Sequence, residues 1–139
     1  MFAGSDLIGT RYIHRFHPAT SKLPRPVVFH SKHVTAQSGT GLVHSAPAHG
    51  YEDYQAFGQA GILPAYMRCP IDDSGCFTAE LLKWTGDERS KTLVGKSVLG
   101  DGIGEMIDLL REDGSLLAEQ TIEHRYPCDW KTKEPVIVR

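Results

Sequence analysis

Residues 39–54, GTGLVHSAPAHGYEDY, bring two histidines, a serine and two adjacent acids together beside a glycine-threonine-glycine turn. Such a turn lets backbone amides approach a ligand closely, because glycine has no Cβ to obstruct it. A hydrolase would pair Ser45 with His44 or His49 and with Asp53. Against this, the nucleophile-elbow pattern is absent and a strand would turn Ser45 away from His44. A metal centre would draw on His44, His49 and Asp53, yet His-x4-His on a strand and loop lacks the geometric logic of His-x3-His on a helix. His124-x3-Cys128 is similarly isolated. Each residue also has a structural role open to it: a strand histidine as a hydrogen-bonded group, and acids in a first helical turn as partners of the helix dipole.

The elements that must position these residues follow from pattern. GLVHSA predicts a short strand with Leu42, His44 and Ala46 on one face and Val43 and Ser45 on the other. YEDYQAFGQAG predicts a helix with Glu52 and Asp53 in its first turn and Gly61 as its stop. Upstream, RYIHRF and PVVFHSKHVT read as extended pieces flanking the proline-broken HPATSKLPRP. Downstream, LPAYMRCPI reads as a strand, DDSG at 72–75 as a tight turn and CFTA as a partner strand. The clearest helix is GEMIDLLRED, in which Ile103, Met106, Ile107 and Leu110 form a core stripe and Gly114 follows as a cap. The tail SLLAEQTIEHRYPCDWKTKEPVIVR alternates strand-like stretches around a Tyr126-Pro127 break and ends on an apolar run, as if excerpted from something longer.

Bulk properties set outer limits. A chain of 139 residues suits one domain, 1–139, able to bury a core without staples, and no repeat or linker marks an internal boundary. The net charge of -2 gives no global positive field, so any RNA contact must be local. Cys69, Cys76 and Cys128 are spaced unlike a disulfide framework and read as free thiols of a reducing compartment. No targeting segment or membrane-length apolar run is evident.

Residues 39–54 closely resemble the signature of the editing domain inserted into isoleucyl-tRNA synthetases. HRYPCDWKTKEPVIVR, 124–139, resembles the segment returning from that insertion to the synthesis domain. DDSGCFT and GEMIDLLREDG, between them, also look like family features. The leucyl and valyl relatives share the glycine turn and the acid, whereas His44 favours the isoleucyl branch, and APAHG looks bacterial or organellar. The resemblance implies a mixed β fold with peripheral helices, β-barrel-like as in the Val/Ile/Leu editing domains. It places the chain in the bacterial cytoplasm or mitochondrial matrix, with no membrane partner.

The implied activity is hydrolysis of valine, or a similar non-cognate amino acid, from the 3′ end of mischarged tRNA(Ile). A missing methylene is worth only about 1–3 kcal/mol in an apolar pocket, the choice between isoleucine and valine by this family being the standard example, so a second sieve is needed. By resemblance, Asp53 binds the substrate α-ammonium and His44 crowds the amino-acid side chain. His49 lines the pocket, and Thr40, Gly41 and Ser45 border it. Water is the implied nucleophile, with no metal and no cofactor in this domain; ATP and Mg belong to the parent synthetase. The synthesis domain of that parent is the other implied partner. The competing expectation is a non-catalytic module that docks an aminoacyl-tRNA end or only supports the synthetase.

The family's threonine-rich strand, consecutive threonines followed by Pro-Trp, has no counterpart in this sequence, which has no adjacent threonine pair. Adding such a segment ahead of residue 1 is expected to raise valyl-tRNA hydrolysis sharply, since a misplacement of about 1 Å can already cost a hundredfold in rate. Single-turnover hydrolysis by both chains at matched folded concentration checks this; equal, substantial rates would make that strand dispensable.

Overall fold

The computed structural model describes residues 3–14, 16–17, 23–37, 39–123 and 125–139. The α-helices are α1 (Tyr51–Gln59), α2 (Leu63–Tyr66), α3 (Glu80–Thr85) and α4 (Asp101–Glu112), with short 3-10 turns at Gly4–Leu7 and Glu88–Leu93. They belong to two compact units, one of Met1–His14, Lys22–Cys69 and Val138–Arg139, the other of Arg15–Ser21 and Pro70–Ile137. The sequence pattern had drawn no internal boundary.

The expected β-barrel-like core does not form. Among the described residues there is no β-strand, only isolated bridging pairs: Arg11 with Val27, Ile71 with Phe77, Cys76 with Ser97 and Cys128 with Pro135. The extended pieces have strand composition, but a ladder needs a neighbour in register over several residues. Around Arg11 and Val27 the pairing among the described residues consists of Gly9 N–H to Val28 O, Val28 N–H to Thr10 O and Tyr12 N–H to Pro26 O. Pro24 and Pro26 have no N–H with which to extend it. GLVHSA joins no bridge or strand among the described residues, and Leu42, Val43 and His44 are all exposed, so the expected alternation of faces is absent. LPAYMRCPI opens with α2 instead of a strand, Pro64 sitting in the first turn where its missing N–H costs nothing.

In the first unit, α1 starts at an extended Gly50 and ends before Gly61, whose φ of +71° is the left-handed conformation expected of a glycine stop. Its buried Phe57 meets Phe29 and Tyr66 in edge-to-face contacts at 4.9 and 5.6 Å between ring centroids. Tyr66 then donates its hydroxyl to the Arg25 carbonyl at 2.8 Å.

The second unit packs Phe16, Leu81, Leu93 and Leu109 into one cluster, with Phe77, Met106 and Leu110 against it. None of the expected stripe is fully buried: Met106, Ile107 and Leu110 are partly buried and Ile103 is half exposed, while Leu109, outside that stripe, is the apolar side chain of α4 that the core encloses. DDSG does form its turn: the Asp72 carboxylate accepts from the amides of Ser74 and Cys76, and Gly75 takes a φ of +74°. Among the described residues the expected hairpin shrinks to the antiparallel Ile71–Phe77 bridge, with Asp72 N–H donating to Cys76 O and Thr78 N–H to Pro70 O, and no strand forms on either side. Ser90, fully buried, is hydrogen-bonded to Thr85 and to the Asp87 carbonyl. Arg89 spans the Asp87 and Asp113 carboxylates, and its guanidinium holds the Asp87 carboxyl below its ordinary range. Lys96 does the same for Glu105 of α4.

Two glycines of α4 differ sharply in surroundings. A Cβ on Gly102 would lie 2.5 Å from the Ser97 carbonyl oxygen and 3.1 Å from the Phe77 ring, whereas one on Gly104 would meet nothing within 4 Å. Gly102→Ala is therefore expected to destabilise the chain by about 1–3 kcal/mol. Gly104→Ala should stabilise it by about 0.5–1 kcal/mol through helix propensity alone. Urea unfolding of the two variants checks the opposite signs, and equal shifts would refute the packing of α4 on Ser97.

Candidate functional site

Asp53 occupies the first turn of α1, as the sequence pattern predicts, and its carboxylate is held from two sides. Oδ2 accepts the Ala46 amide at 2.8 Å, and Oδ1 lies 3.2 Å from His33 Nε2. The first bond comes from local chain geometry. Pro47 presets the turn in which His49 N–H returns to the Ala46 carbonyl at 2.9 Å, and Ala48 is buried beneath it. That turn leaves the Ala46 amide pointing at the helix start. Gly50 stands close by; a Cβ there would come within 3.4 Å of Asp53 Oδ2.

His33, Val43, Gly50, Glu52 and Asp53 line an open cleft of about 450 Å³. The Asp53 side chain in that lining is 18% exposed. A carboxylate near a helix start, held by an amide and an imidazole, keeps lone pairs free to accept charge-assisted hydrogen bonds from an ammonium group.

The other sequence-predicted residues are arranged differently. His44 is exposed and its ring lies 5.9 Å from that of His14, away from the lining of the cleft. His49 places Nδ1 3.0 Å from the Val138 carbonyl, while its Nε2 is buried with no hydrogen-bond partner among the described residues. Thr40 bonds through its hydroxyl to both the amide and the carbonyl of Leu42, closing the glycine turn in which Gly39 and Gly41 take φ of +62° and +73°. Ser45 is half-buried and does not line the cleft. His124, whose spacing to Cys128 argues for no metal centre, lies outside the described residues. Among the described residues, no group of three or more His, Cys, Asp or Glu side chains is placed to hold a metal ion. Cys69, Cys76 and Cys128 are unbridged.

Sequence reading missed His33. Its position in the run HSKHVT gives no helical or strand register with Asp53, and only the fold brings the two together. The sole signal was an excess of histidine in a short extended stretch.

This combination of acid-bearing helix start and glycine turn lies in a chain that is similar to part of an aminoacyl-tRNA ligase. Over 99% of its length it is 44% identical to the isoleucine-tRNA ligase of Synechococcus sp., and 44% identical to the chloroplastic/mitochondrial isoleucine-tRNA ligase of Arabidopsis thaliana. To the mitochondrial isoleucine-tRNA ligase of Mus musculus it is 41% identical, again over 99% of the chain. It spans 13%, 11% and 12% of these relatives respectively, and so corresponds to a segment of isoleucine-tRNA ligases of bacterial and organellar types. No protein-family model matches the chain. No helix among the described residues is long and apolar enough to cross a membrane.

Asp53→Ala deprives the Ala46 amide of its acceptor and is expected to cost about 1–3 kcal/mol of stability. Hydrogen exchange at the Ala46 amide should accelerate in that variant while amides of α4 stay protected. Unchanged exchange at Ala46 would show that the bond does not hold the turn.

Proposed function

We propose that the chain is the editing segment of an isoleucine-tRNA ligase, removing valine from mischarged tRNA(Ile) by ester hydrolysis at the tRNA 3′ end. The observation that carries this reading is the held, partly exposed Asp53 carboxylate in an open cleft, in a chain with isoleucine-tRNA ligases as relatives. An aminoacyl ester presents an α-ammonium, and in this proposal the Asp53 carboxylate receives it. With the ammonium anchored, the ester carbonyl is oriented for attack by water, and orientation of this kind is a large part of what a hydrolytic site supplies.

Within this proposal Val43 lies where it can contact the substrate's aliphatic side chain, since it lines the cleft beside Asp53. His44 lies outside the cleft lining, so its role as the size filter is carried by the resemblance alone, as are the roles of His49, Thr40, Gly41 and Ser45 around the site. The 3′ end of tRNA(Ile) and the remainder of the ligase are the partners, and ATP with Mg serves the synthesis site of the parent enzyme.

The test is made in a full-length isoleucine-tRNA ligase carrying this segment. Asp53→Asn keeps the side-chain shape but removes the charge, so valyl-tRNA hydrolysis should fall by roughly ten- to a hundredfold while isoleucine activation is unaffected. His44→Ala should extend hydrolysis to isoleucyl-tRNA. Normal valyl-tRNA hydrolysis in Asp53→Asn would remove Asp53 from the reaction; tRNA binding without hydrolysis in the wild type would leave a docking module.

A further inference from the structure

The Asp53 carboxylate is the end of a longer hydrogen-bonded line. Ser31 Oγ lies 2.8 Å from His33 Nδ1, and His33 Nε2 lies 3.2 Å from Asp53 Oδ1, while the Ala46 amide holds Oδ2. The carboxylate end and a neutral ring together set the polarity of this line. An ionised carboxylate only accepts, so Nε2 must carry the hydrogen; in the neutral imidazole Nδ1 is then an acceptor, and the Ser31 hydroxyl is the donor it needs. In that arrangement every member is satisfied with one direction of donation. A doubly protonated ring would cancel the carboxylate's charge where the cleft must attract a cation.

We infer that His33 is a positioning residue for Asp53: Ser31 fixes its neutral Nε2–H tautomer, and that N–H locks the carboxylate rotamer in which α-ammonium groups are received. With both oxygens tied, Asp53 cannot swing toward solvent, so a ligand does not have to order it on binding. Glu52, also in the lining of the cleft, shows no such pair of hydrogen bonds among the described residues. The inference rests on the assignment of Asp53 to the substrate ammonium but makes a separate claim about what holds it.

Two experiments test it. In the 139-residue chain, imidazole nitrogen NMR should show His33 protonated at Nε2 and bare at Nδ1, with the preference lost in Ser31→Ala; an Nδ1–H tautomer in the wild type would overturn the inference whatever the activity. In a full-length ligase carrying the segment, His33→Ala should raise the half-saturating concentration of valyl-tRNA about tenfold, with a smaller effect on the maximal rate. His33→Gln, whose amide nitrogen can replace Nε2–H, should restore most of the loss. The His33→Ala effect should vanish in an Asp53→Asn background, because the two act through one contact. A loss confined to the maximal rate, or one that persists without the Asp53 charge, would overturn the positioning role. If Asp53→Asn impairs hydrolysis but His33→Ala does not, this inference falls and the proposed function stands; if neither does, both fall.

Discussion

Carboxylates that accept backbone amides are the constraint on which this structure depends. With no sheet among the described residues, loop amides have no ladder to satisfy them, and buried or half-buried amides left unpaired are costly. Aspartates take that role repeatedly. Asp72 holds the amides of Ser74 and Cys76, Asp87 holds that of Arg89, Asp101 holds that of Ser97, and Asp129 holds those of Lys131 and Thr132. Asp129 lies below its ordinary pKa range chiefly because of those backbone bonds to Thr132 and Lys131.

Asp53 is the member of this set that does more than close a turn. Its partner amide, Ala46, lies across the Pro47 turn instead of in the adjacent step of the chain, and its second oxygen faces His33. The same bond that shapes the loop therefore also fixes a negative charge in a cleft. That double duty is why a structural reading of the acid and a functional one are compatible here: removing the side chain affects both.

The second unit shows the complementary solution, in which apolar packing and ion pairs share the task. Leu93 and Leu109 are almost fully enclosed, and Arg89 links the 3-10 turn to the end of α4 through Asp87 and Asp113. Close approach of α4 to Ser97 is possible only because position 102 has no side chain. The chain corresponds to a segment of much longer ligases, and among the described residues few apolar side chains are fully buried.

What the sequence determined by itself is local. The helix start at Asp53, the stops at Gly61 and Gly114, the Asp72 turn and the body of α4 were legible because each depends on residues within one or two turns of chain. The resemblance in residues 39–54 likewise pointed to the right ligase family of relatives. Only the tertiary structure decided whether the strand-like segments would find partners, which face α4 would bury, that His14 would meet His44, and that His33 would reach Asp53. The reason is physical. Capping and turn chemistry act over a few bonds, whereas strand pairing and long-range contacts depend on register and approach between distant segments, which composition and periodicity do not specify.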